Sequence, residues 1–454
     1  MTDDNGTPTR FFALADGSLP WLQTSGNTIV TEDGQEVILR GANVMRAEFD
    51  NNMVWENKAI PELAKNWHGN VLTRGFASEP VIKADDPTDP KHLEYLTYRN
   101  NLDELVSLAK TNSMYLILAW RSFVRDGDQP PMPDAAAQQA LAILAARYKN
   151  QSHVIYALQV EPHDVDWATL RPLFETMVDA IRSAAAPFEP LVMIPGTKWS
   201  RDLSGAITDP VNRPNVVYKT HPYNAWSEFQ GLFGDAFSNG LPVFVGEFAQ
   251  DNMTMNDIRV LLELTRKCHI GWAAWLLDGE DTFKLMKSAT DLSPTDPYGT
   301  TVQAEMLKPP SAPGETVIID DSIQGTDPHQ WQYQGTGWQH CTDCDEPPVT
   351  YYNASQSWTD TMNDTAELTF FGRQLGFFGV SAPWHGIAAV SIDGGPETMI
   401  DLYAVTKAGN VLLWTSPLLA PGIHTFTLRA TGDKNPASTG TVIALDRVEI
   451  TVWV

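Results

Sequence analysis

The sequence predicts an α/β fold, a closed barrel of eight parallel strands, followed by a second unit of antiparallel β-structure. Three observations predict it. Eight short apolar runs alternate with helix-length amphipathic stretches between residues 37 and 307, a proline-rich segment KPPSAPGET interrupts the pattern at 308–316, and only short strand-like runs follow.

The runs are VILRGAN (37–43), NVLTRG (70–75), MYLILAW (114–120), VIYALQV (154–160), PLVMIPG (190–196), NVVYKTH (215–221), LPVFVGE (241–247) and IGWAAWLL (270–277). Continuous apolar runs of this length read as parallel strands covered on both faces. Helical patterns lie between them at 93–110, 135–149, 166–186 and 254–268. An open doubly wound sheet is the competitor, but it signals itself with a glycine-rich first turn that VILRGAN does not lead into. Eight β/α units in about 270 residues match a (β/α)8 TIM barrel. Before the first run, residues 26–39 read as a β-hairpin turning at Asp33-Gly34 and plugging the barrel bottom. After the linker, runs such as 366–372, 386–395, 422–432 and 441–454 alternate apolar and polar residues without a long amphipathic helix, the pattern of a β-sandwich. The expected division is a barrel over 1–308, a linker over 309–315 and a sandwich over 316–454.

The chain has 31 basic against 56 acidic residues, a formal net charge of −25. Such a surface repels phosphate backbones and anionic lipid, which argues against nucleic-acid and membrane partners. No stretch approaches the roughly 18 apolar residues of a membrane span. The opening MTDDNGTPTR has neither a basic nor an apolar leader region, so the chain either works in the cytoplasm or is written from after processing. Cys341 and Cys344 form a C-x-x-C that supplies half of a zinc site at most, so a local disulfide is expected, with Cys268 buried as packing. The 15 Trp and 12 Tyr suit ligands that are both hydroxylated and C–H rich, and equally a large core.

In closed barrels the reactive groups project from the carboxyl ends of the strands. The fourth run ends in Val160-Glu161-Pro162-His163 and the seventh in Gly246-Glu247-Phe248. Arg74 ends the second, His221 and Tyr223 follow the sixth, and Trp275 ends the eighth. Two carboxyls across one pocket are the equipment for cutting a glycosidic bond, one protonated to donate and one ionised to attack. Arg74 beside Glu247 would hold it ionised, leaving Glu161 the raised pKa. A lone glutamate after a strand would instead cap the next helix, and Glu161 precedes one starting near Asp166. Tyr223 is expected to bond Glu247, whereas His163 is open between facing substrate and bonding its own loop. Loops 76–92 and 121–134 are candidates for walls of the cleft.

These residues resemble glycoside hydrolase family 5 over roughly 20–307. LRGAN (39–43) is similar to the family's first-strand motif and Arg74 to its second-strand arginine. VEPH (160–163) resembles the acid/base motif, His221-Pro222-Tyr223 the sixth-strand His-x-Tyr, VGEF (245–248) the nucleophile motif, and Trp275 the eighth-strand tryptophan. The resemblance implies a retaining hydrolase of a β-linked glycan or glycoside, with Glu161 as acid/base and Glu247 as nucleophile. It implies a carbohydrate substrate, no cofactor and no metal, and a secreted monomer. One position departs from the family: Val160 stands where an asparagine normally bonds the sugar 2-hydroxyl, and Gln159 has the wrong strand parity to replace it. That departure keeps two alternatives in view, a carbohydrate-binding protein derived from such an enzyme, and a transglycosylase on the same site. DDSIQGTDPHQWQYQGTGW (320–338) and LDRVEI (445–450) resemble lectin-like sandwich domains of secreted carbohydrate-active enzymes, making Trp331, Tyr333, Trp338, Trp358 and Trp384 candidate sugar-stacking platforms.

Overall fold

The computed structural model describes residues 18–44, 53–121, 129–277, 283–312, 314–344 and 346–452. Its contacts separate two compact units, 1–309 and 310–454.

In the first unit a short hairpin, β1 (Leu22–Ser25) and β2 (Thr28–Thr31), precedes the barrel. The barrel strands are β3 (Arg40–Val44), β4 (Val71–Phe76), β5 (Tyr115–Trp120), β6 (Val154–Ala157), β7 (Val192–Pro195), β8 (Val216–Thr220), β9 (Val243–Val245) and β10 (Gly271–Ala274). They pair in parallel in sequence order, and β10 closes onto β3. The fourth barrel strand stops three residues short of its apolar run, yet Leu158 N–H still donates to Met193 O at 3.1 Å and Val160 N–H to Trp120 O at 2.9 Å. The chain thus stays attached to the barrel rim up to Glu161.

Alternate residues fill the interior: Tyr115, Ile117 and Ala119 from one strand meet Ile155, Ala157, Met193, Val217, Phe244 and Ala273 from others. Leu19, Leu22, Ile29, Val37 and Leu39 from the preceding segment join that cluster, and Tyr115 donates its hydroxyl to Pro20 O at 2.9 Å. The expected turn at Asp33-Gly34 is present: Thr31 N–H donates to Gln35 O at 2.8 Å and Val37 N–H to Ile29 O at 2.8 Å, around an antiparallel bridge between Val30 and Glu36. A second turn, at Gly26-Asn27, pairs the same strand with β1 on its other side.

Helices span His92–Thr111, Ala135–Arg147, Trp167–Ala185 and Met255–Lys267. Asp134, Asp166 and Thr254 cap three of them through side-chain oxygens that accept from backbone N–H groups. Asp166, not Glu161, is therefore the cap after the fourth barrel strand. Segment 76–92 contains a helix, Ser78–Lys83, whose Ser78 hydroxyl accepts from Trp120 Nε1 at 2.8 Å. Of loop 121–134, residues 122–128 lie outside the described residues. No helix among the described residues is long and apolar enough to cross a membrane.

The second unit is all-β. A sheet of four strands (316–320, 447–451, 374–381, 408–415) and one of five (331–334, 365–371, 423–430, 387–392, 398–401) share one core with a three-stranded sheet. Strand 423–430 buries every second residue, as a strand with one covered face must. Cys341 and Cys344 form a disulfide, and Cys268 of the first unit is a buried free thiol that burial pushes up to about 12.

Trp331 is no sugar platform. It is 1% exposed and packs against Phe426 in that core, because its strand parity points it inward. Tyr333 and Trp338 pack against the same core, Tyr333 donating to Asp321 O at 2.7 Å and Trp338 Nε1 to Thr365 O at 3.0 Å. Trp358 lies partly buried beside the disulfide. Trp384 alone of the five is exposed, at 42%.

Candidate active site

Glu161, His221, Tyr223, Glu247 and Trp275 follow the carboxyl ends of β6, β8, β9 and β10, and parallel closure brings those ends to one rim. A carboxylate oxygen of Glu161, one of Glu247 and a ring nitrogen of His221 all lie within 4.8 Å of one another. His221 Nδ1 is 2.9 Å from Glu161 Oε1 and 3.7 Å from Glu247 Oε2. The Tyr223 hydroxyl donates to Glu247 Oε2 at 3.2 Å, the contact expected of it. Beneath them, Asn43 of β3 donates its amide to Gly246 O at 2.9 Å and to Ala273 O at 3.2 Å, which ties the first, seventh and eighth barrel strands together next to Glu247.

Gly246 is required by this packing. A Cβ there would stand 2.7 Å from Cγ and Cδ of Lys219 and 2.8 Å from His221 Nε2. Lys219 on β8 is two residues before His221, which follows the strand's end, so the two share its inward parity.

The protons are distributed otherwise than the sequence suggested. Burial pushes the Glu247 carboxyl up, whereas the hydrogen bond from His221, with the charges of Lys219 and Arg121, holds Glu161 below its ordinary value. Of the two carboxyls, Glu247 is therefore the one whose protonated form its surroundings favour. The positive charges opposing that rise on Glu247 are those of His221, Lys219 and Arg121. Arg74 is fully buried, with its guanidinium carbon 5.3 Å from the centroid of the Tyr98 ring.

His163 is taken up by its surroundings. Its ring nitrogens stand 2.8 Å from Asp164 Oδ2 and 2.8 Å from Gln129 O, and its face stacks on Trp199 at 4.0 Å. Gln159 points away from the site, donating to Pro130 O at 2.9 Å. Trp275 lines a small cavity with Glu247, Val160, Lys219 and Arg121.

Sequence reasoning missed three residues here. Lys219 and Arg121 were visible as charges within or just after apolar runs, and their parity could have placed them. Trp199, 40% exposed, had no signal: Lys198, Trp199 and Ser200 take left-handed φ values of 53°, 63° and 58°. Tertiary bonds hold that turn, from Trp199 N–H to Pro162 O at 2.8 Å and from Ser200 Oγ to Val160 O at 2.8 Å. Glu161, His221 and Glu247 also form a donor set that a divalent cation accepts, with the same atoms that catalysis would use.

The model of the family described as cellulase (glycosyl hydrolase family 5) matches residues 30–281, more than half of the chain. The chain belongs to glycosyl hydrolase family 5. This family 5 member is 24% identical over 286 residues to the cellulase CelDZ1 of Thermoanaerobacterium sp, covering 58% of this chain and 71% of that protein. It is 24% identical to endoglucanase A of Butyrivibrio fibrisolvens, covering 59% and 62%, and 26% identical to endoglucanase E-5 of Thermobifida fusca, covering 56% and 55%. The chain thus spans less than two thirds of the length of these last two relatives. Among solved structures, the β-glucanase SdGluc5_26A of Saccharophagus degradans superposes with a TM-score of 0.54 at 19% identity, over 67% of this chain and 98% of that one. The catalytic domain of Thermobifida fusca endoglucanase Cel5A gives 0.52 at 19% identity, over 63% and 97%. These likenesses speak for the barrel. The family 5 match ends before the second unit begins.

Proposed function

We propose that this protein hydrolyses a β-linked glucan with retention of anomeric configuration. The observation that carries the reading is the approach of Glu161 and Glu247, with carboxylate oxygens within 4.8 Å. Retaining pairs stand about 5–5.5 Å apart, whereas inverting pairs need roughly 6.5–9.5 Å to admit a water molecule. The names of the relatives, cellulases and endoglucanases, support a β-glucan as substrate.

In this reading Glu247 attacks the anomeric carbon while Glu161 protonates the leaving oxygen. A glycosyl ester forms, and Glu161 then deprotonates the water that cleaves it. A proton held by Glu247 must pass to Glu161. Positive charge growing on the sugar beside Glu247 favours its ionised form and drives that transfer. His221, within 3.7 Å of both carboxylates, is placed to follow it. The intact carboxylate pair favours an enzyme over a sugar-binding protein, and acceptor-sugar product analysis separates hydrolysis from transglycosylation. The Cys341–Cys344 disulfide supports a secreted protein. Carbohydrate binding by the second unit rests on exposed Trp384, and loss of adsorption to insoluble glucan in Trp384→Ala tests it.

Incubation with a 2-deoxy-2-fluoro β-glucosyl fluoride should label Glu247, identified by peptide mass. Product of inverted configuration, or full turnover by Glu247→Ala, rules the mechanism out.

A further inference from the structure

We propose that Lys219 recognises the substrate, its ammonium donating a hydrogen bond to the 2-hydroxyl of the sugar that Glu247 attacks. The inference rests on the retaining reading above and deepens it to the group that binds at the reacting centre.

Lys219 is 2% exposed and sits on β8 inside the barrel, below His221. Glu247 and Glu161 act on its ammonium through their charge and not through a hydrogen bond, and it has three protons to donate. Burying such a group is costly unless something accepts from it. What it faces is a cavity of about 20 Å³, lined by Asn43, Thr73, Arg121, Val160, Lys219 and Glu247 among others. That is room for one water molecule, or for one hydroxyl in its place. The Thr73 hydroxyl, on the same cavity, is also buried without a partner. The Asn43 amide is committed to carbonyls of β9 and β10 and their ends, and Val160 brings only methyl groups. The Lys219 side chain and the partnerless Thr73 hydroxyl therefore border one cavity with Glu247.

The identity of the hydroxyl follows from sugar geometry. The carbon that Glu247 attacks has the ring oxygen on one side and C2 on the other, and of these only C2 carries a hydroxyl. A hydroxymethyl or carboxylate group would not fit a one-water cavity. Burial brings Lys219 down to about 8, with both glutamates opposing the fall. Gly246 provides the space for its stem.

The test compares Lys219→Met with the unaltered full chain on an aryl β-glucoside and on its 2-deoxy analogue, with circular dichroism as the check of folding. Hydrogen bonds to this hydroxyl strengthen in the transition state, so kcat/KM on the parent should fall roughly 100-fold, chiefly in kcat, and stay within about threefold on the analogue. Thr73→Val should show the same selectivity with a smaller loss. Equal losses on both substrates, or no loss on the parent, overturn the proposal. The fluorosugar adduct separates the two levels: labelled Glu247 with an indifferent Lys219→Met removes only this inference, whereas an unlabelled wild type removes the retaining reading beneath it.

Discussion

Nδ1 of His221 stands 2.9 Å from Oε1 of Glu161 and 3.7 Å from Oε2 of Glu247. The contact holds Glu161 ionised in the free protein. Removing the donor must raise the pKa of Glu161, so the singly ionised pair is lost at a higher pH. His221→Gln is therefore expected to move the acid limb of kcat/KM upward and to lower kcat by about 10- to 100-fold. A pH profile from 3 to 9 checks it, and an acid limb unmoved or shifted downward contradicts the role given to His221.

Gly246 is the tightest point beneath the site. A methyl group there would press on Lys219 and on His221 Nε2, so Gly246→Ala has to displace one or both. Overpacking of this kind costs about 1–3 kcal/mol. Activity should suffer more than stability does, since the displaced groups are those holding the glutamates. Parallel measurements of kcat and urea unfolding decide it, and near-normal kcat speaks against the packing described.

Lys219 should cost stability. Its folded pKa, about 8, lies below the ordinary 10.5, so the unfolded chain binds more protons between those values. Wild-type stability then rises with pH through that window and carries the whole burden below it. The difference corresponds to about 3 kcal/mol. Lys219→Met is thus expected to be more stable than wild type at pH 7, with the gain shrinking toward pH 10. Urea unfolding at the two values tests this, and a destabilised variant at pH 7 refutes it.

Divalent transition metals should inhibit. An oxygen each from Glu161 and Glu247 and a ring nitrogen of His221 lie within 4.8 Å of one another, and zinc binding there needs all three deprotonated. Inhibition by zinc should be competitive, weaken by about tenfold or more as pH falls from 7 to 5, and diminish in His221→Gln. Inhibition indifferent to both pH and that substitution would place the metal elsewhere.

What could be read without coordinates was whatever local pattern or strand parity controls. Eight apolar runs with helices between them can bury their surface only as a covered parallel sheet, and rim residues follow from run ends. Glu161, Glu247, His221 and Tyr223 meet for that reason. Patterning is silent on which neighbour a side chain finds. Arg74 lies over Tyr98, His163 reaches back to Gln129 O, and Trp331 packs against Phe426, each a partner well separated along the chain. Only barrel closure decided which glutamate is deeper, and so which carboxyl burial pushes up, because desolvation depends on everything packed around a group. The chain by itself determined the barrel and its two acids; the tertiary structure decided which of them is the more readily protonated and left one buried lysine facing them.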